Sequence, residues 1–139
     1  MLPALLACFL LGIVAGLRTF TAPAVLWLLR HGGLWAWLLS AAALFEYALD
    51  VSPKAPARTR AVGLSVRIVS GGFVGWAIAT SAGHSAIAGA IAGIAGAIAG
   101  AYGGLALRLK LIEIMGPITS GIVEDVVAIG LAVLIVLGT

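Results

Sequence analysis

Between Arg67 and Arg108 the chain runs for forty residues without a charged side chain, and only His84 in that stretch titrates near neutral pH. A bilayer core is crossed by roughly twenty helical residues, so the stretch is long enough for two crossings with a turn at His84. The rest of the chain is of the same kind. Hydrophobic residues make up 63%, charged residues 9%, and mean hydropathy is +1.21, against about 45–50% and about 25% in a soluble domain. A water-soluble fold is excluded, and so is intrinsic disorder, which needs low hydrophobicity and high net charge. Unpaired backbone groups cost several kcal/mol in hydrocarbon, so each crossing is expected to be helical. The expected fold is all-α: a polytopic transmembrane helical bundle, with residues 1–139 as a single integral membrane domain.

Five apolar runs are expected as spans, at 3–29, 34–49, 63–83, 85–107 and 112–137. The count falls to four if one run is re-entrant. No Lys or Arg precedes the first run, so it lacks the positive start of a secretory signal and is expected to be a retained span. With five spans and the N-terminus inside, Lys54, Arg58, Arg60, Arg108 and Lys110 share one side, with Arg67 close to it. Arg30 and His84 fall on the other. Basic residues gather on the cytoplasmic side, so five spans predict a cytoplasmic N-terminus and an external C-terminus, in a bacterial inner (plasma) membrane by default. The net charge of +3 is then an orientation signal, and nucleic acid is not an expected partner.

The fourth run carries Gly89, Gly93, Gly96, Gly100 and Gly103 on one helical face, with Ile87, Ile91, Ile94 and Ile98 on another. Gly12/Gly16 and Gly71/Gly75 are further pairs of small residues four apart. Water drives no helix association in lipid, so close backbone approach at small residues does that work, and Gly-rich close helix packing is expected in preference to a glycine-lined pore. The period of 3.5 implies a left-handed crossing, against a neighbour in the same chain or in a second subunit. Trp27, Trp35 and Trp37 around Arg30 are read as an interfacial belt.

Ionisable residues inside a span are costly and default to a functional reading. Arg18 lies deep in the first run, beside Thr19, Thr21 and Pro23. Pro23 disturbs the helical ladder there, so a broken helix is expected near 18–23, with Arg18 contacting an anion or paired with a carboxylate. A second break is expected near 116–121, at Gly116-Pro117. Glu46 and Asp50 share a helix face, and Glu124-Asp125 lie about 18 Å along the last run at roughly 1.5 Å per residue. These four acids converge on the inner half. The basic residues Lys54, Arg58, Arg60 and Arg108 are expected as surface or lipid contacts. Cys8 is the single cysteine, and neither histidine has ligand partners at metal spacing. No phosphate loop or activated nucleophile is present. No cofactor, metal site or enzymatic activity is expected.

Glu46-xxx-Asp50-xx-Pro53, Gly16-Leu17-Arg18, the Gly/Ala run ending at Arg108, and Pro117 followed by Glu124-Asp125-Val126-Val127-Ala128 together resemble the domain-of-unknown-function 4126 family of small membrane proteins. The likeness covers about 12–134 and departs where Val51 follows Asp50. It implies a helical membrane protein and weight on the acidic positions, and no activity. A looser likeness to the small dual-topology fluoride channels rests on Thr19-Phe20-Thr21 and Gly103-Gly104, but the chain has no asparagine.

The expected function is transport of an ion or small polar solute. Glu46, Asp50, Glu124 and Asp125 would form the proton- or cation-responsive part, with Arg18, Thr19 and Thr21 beside them. The partners are the bilayer, the solute and a second copy of the chain, most simply in a twofold dimer. The competing expectation is a non-transporting module that binds anionic lipid or a partner protein through the basic loop at 54–60.

Overall fold

A computed structural model describes residues 3–51 and 61–139, with no account of the side chains at 47–51, 61–63 and 117–118. The described residues form six helices and no strand: α1 (Ala4–Leu17), α2 (Thr21–Arg30), α3 (Gly33–Val51), α4 (Ala61–Ser81), α5 (Ala86–Met115) and α6 (Pro117–Leu137). Three stretches are long and apolar enough to cross a membrane, Leu64–Ser81, Ala86–Met115 and Thr119–Leu137. Two shorter apolar helical stretches accompany them, Ala4–Leu17 and Gly33–Glu46. An all-helical membrane protein is what these lengths support.

The first apolar run is not one helix. α1 stops where Arg18 turns to extended backbone, at φ −141° and ψ 113°, and α2 begins three residues later. Pro23 falls in the first turn of α2, where a missing N–H costs no intrahelical bond. It therefore helps to start a new helix instead of kinking a long one. At the far end of α2, Arg30 donates to Ser81 Oγ at 2.9 Å and to Thr139 Oγ1. Pro3, Ala4, Arg30, Ser81 and Thr139 all line one cavity. The start of α1 and the ends of α2, α4 and α6 thus meet at one end of the molecule, the terminal end. α1 runs inward for roughly 21 Å and α2 returns for roughly 15 Å, at about 1.5 Å per residue. The pair is a helical hairpin, and Pro3 and Thr139 lie at the same end of the molecule, where five full spans would put them at opposite ends.

The second departure is at Arg108 and Lys110. A loop is expected there, but α5 continues through both residues to Met115. Leu, Ile, Arg, Lys and Glu are all compatible with helix, and what ends it is Gly116 at φ 82°, a conformation that favours glycine. Pro117 then opens α6, so the break expected over 116–121 narrows to the single joint at Gly116.

The first half of α5 is gripped from two sides. Its buried residues are all glycine or alanine: Gly89, Gly93, Gly96, Ala97, Gly100, Ala101 and Gly104. α1 and α4 both pack along it. A Cβ added at Gly96 or Gly100 would strike the carbonyls of Phe9 or Ile13 in α1, and one at Gly93 would strike the Gly71 carbonyl in α4. Both neighbours belong to the same chain, and each glycine face brings backbone onto backbone. Ile87 and Ile91 face outward, which suits a surface covered by lipid. Cys8 ties the two gripping helices by donating its thiol to Gly75 O at 3.2 Å.

Candidate functional site at the hairpin turn

Reversing the chain inside an apolar bundle leaves backbone groups that a continuous helix would have satisfied. Side chains from other helices satisfy them here. The Thr19 N–H donates to Glu46 Oε1 of α3 at 2.8 Å. Gly16 O, in the last turn of α1, accepts from Arg67 Nε of α4 at 3.0 Å. Thr19 O is the carbonyl that Pro23 cannot serve, and it accepts from the hydroxyl of Ser70, also on α4. Three backbone groups at the turn thus each have a side-chain partner from another helix.

Arg18 is the centre of the arrangement. It is only 1% exposed, its guanidinium pairs with the Asp125 carboxylate of α6, and its Nη2 lies 3.4 Å from Gly121 O. Next to it on α6, Glu124 is 8% exposed and its Oε2 lies 3.5 Å from Nη1 of Arg108 on α5. Beside that pair is a cavity of about 80 Å³, lined otherwise by Leu17, Gly104, Leu107, Leu111, Val123 and Val127. Glu46 also lies in the fields of Arg67 and Arg18. Among the described residues, three guanidinia (Arg18, Arg67, Arg108) therefore face three carboxylates (Glu46, Glu124, Asp125) around one turn.

Of the residues expected in a solute path, Arg18, Thr19, Glu46, Glu124 and Asp125 come together. Thr21 is buried in the first turn of α2. Asp50 lies in α3, but its side chain falls outside the described residues, as do Lys54, Arg58 and Arg60 altogether. Arg108 does not stand in a surface loop: it is 13% exposed and turned onto Glu124, because α5 carries it on as helix beside α6. Arg67 and Ser70 were not expected here. An arginine within the third apolar run was the available signal, and placing it near a loop concealed its depth.

Loss of a single contact tests the turn. Glu46→Ala should destabilise the protein by about 1–2 kcal/mol in detergent, through the stranded Thr19 N–H. Glu46→Gln keeps an acceptor oxygen and should cost less than about 1 kcal/mol. Amide exchange at Thr19 should accelerate in the first variant and stay near wild type in the second; equal exchange in both would contradict the contact.

Among the described residues, no group of three or more His, Cys, Asp or Glu is placed to hold a metal ion. No family model matches the chain, and no curated protein and no solved structure matches it.

Proposed function

We propose that the protein moves an ion or small polar solute across a membrane, and that the hairpin turn is where the solute passes. The observation that carries this reading is the ring of ionisable side chains from α3, α4, α5 and α6 around non-helical backbone deep in an apolar bundle. Irregular backbone at such depth is tolerated where protein buries it or water reaches it, and transporters build their sites from it. Charge is the working material. A proton on Glu124 or Asp125 weakens its hold on Arg108 or Arg18 and leaves a guanidinium for an anion; a cation competes for the same carboxylates.

In this reading α3 to α6 cross the membrane and the hairpin enters from the terminal end without crossing. The basic residues 54, 58, 60 and 110 mark the opposite end as cytoplasmic, so both termini are external. A homodimer forms through the outward face of α5, where Ala95, Ala99, Gly103 and Ala106 are exposed and a Cβ at Gly103 would meet nothing within the chain.

A second reading is favoured by the pairing itself, since Arg18–Asp125 and Arg108–Glu124 also suit a permanent lock. The protein is then a non-transporting module that uses its 54–60 loop on anionic lipid or a partner. Purified protein in liposomes separates the two. Transport predicts dissipation of an imposed proton, sodium or chloride gradient, and Glu124→Gln should slow it at least tenfold; undiminished flux in that variant removes Glu124 from the path.

A further inference from the structure

At the terminal end, away from the hairpin turn, Arg30 stands between two half-open cavities of about 470 Å³ each. They share Arg30 and Ser81 and differ in character. Arg30, Ser81, His84 and Thr139 supply the polar wall of the first. The second is a groove of Leu26, Trp27, Phe73, Trp76 and Ala77, with Thr80 at its rim. Its rings are ordered: Trp27 stacks on Phe73 at 5.1 Å and Phe73 on Trp76 at 6.0 Å, while His31 closes the outer edge on Trp27 at 4.5 Å.

The guanidinium is held by two neutral hydroxyls, Ser81 Oγ and Thr139 Oγ1. Two of its five N–H donors are engaged there, and among the described residues no acidic side chain pairs with it. All five acidic residues belong elsewhere: to the second half of α3, the last turn of α5 and the first half of α6. Arg30 therefore has no acidic side chain beside it at this end, where Trp27 and Trp76 suit the headgroup layer.

We propose that the two cavities form one binding site for an anionic phospholipid of the adjoining leaflet, with the phosphate on Arg30 and His84 and the start of an acyl chain in the Trp27–Phe73–Trp76 groove. A cavity with one polar wall and an apolar aromatic groove, joined at an arginine, fit an amphiphile. Free phosphate would leave the aromatic groove empty, and a neutral lipid would leave the charge unanswered. The arginine fork suits a phosphate, and the rings give an acyl chain apolar area to cover.

The test uses full-length protein with Trp35→Phe and Trp37→Phe, so that emission comes from Trp27 and Trp76. It is titrated in neutral-detergent micelles with phosphatidylglycerol brominated near the carbonyl end of its acyl chains, and in parallel with the matching phosphatidylcholine. Saturable quenching should be at least tenfold tighter for phosphatidylglycerol, and Arg30→Gln should bring the two lipids to equal affinity. Millimolar inorganic phosphate should not displace the lipid. Equal quenching by both lipids in the parent protein overturns the proposal without recourse to a variant, and displacement by phosphate alone assigns the site to a free anion.

Discussion

Replacing Arg18 by Met should lower stability in detergent by about 3–5 kcal/mol, because the substitution leaves the Asp125 carboxylate in the bundle without the guanidinium it faces. The size of the loss follows from where the pair sits. Arg18 is almost completely buried, and its partner is about 20% exposed, so water screens little of the unanswered charge. The complementary change, Asp125→Leu, should cost a comparable amount for the opposite reason. The informative protein is the double variant. With both charges gone the apolar pair needs no desolvation, and replacing a buried ion pair by packed apolar groups is often neutral or stabilising. Arg18→Met/Asp125→Leu should therefore recover most of either single loss in a detergent-unfolding titration. If the two losses simply add, Arg18 and Asp125 are not energetic partners.

The second large effect concerns the glycines of α5. Gly93→Ala should destabilise by about 1–3 kcal/mol. The new Cβ runs onto the Gly71 carbonyl and lies 3.2 Å from Gly75 Cα. Both obstacles are backbone of α4, and the Gly93 carbonyl is itself what a Cβ on Gly12 of α1 would strike. Relief requires moving one helix away from the other two. Gly130→Ala is the control on α6, where nothing lies within 4 Å of an added Cβ. It should be neutral or raise stability by up to about 1 kcal/mol through helix propensity. Thermal unfolding of both proteins in one detergent measures the difference, and equal effects would mean that α1, α4 and α5 are not in backbone contact.

Some of this architecture is legible in the sequence. The uncharged stretch after Arg67 is set by the solvent the chain must live in, so composition alone carries it. Spacing also groups Gly89, Gly93, Gly96 and Gly100 on the face that is buried, but Gly103, expected on the same face, is exposed. The hairpin was not legible, and the reason is physical. Residues 3–29 are as long as one crossing, and a break at Arg18 to Pro23 is compatible with a kink as well as with a reversal. What selects reversal is the set of partners for the freed backbone groups, Glu46, Arg67 and Ser70, which lie 27 to 51 residues away. Arg108 failed for a related reason. A basic residue closing an apolar run reads as a loop anchor, whereas here its nearest acid comes from the following helix. Glu46, Glu124 and Asp125 do gather near one turn, but of the guanidinia that face them the sequence points only to Arg18.

The same set of side chains thus has two duties to be told apart, holding the turn together and passing a solute. The double variant separates them, since Arg18→Met/Asp125→Leu is expected to fold while lacking one guanidinium and one carboxylate of the ring. Ion and proton flux through liposomes containing equal amounts of parent and double variant is the decisive measurement. The account predicts gradient dissipation by the parent and at least a tenfold loss in the folded double variant. Flux that survives in the double variant, or a parent protein that leaves proton, sodium and chloride gradients all intact, would contradict it.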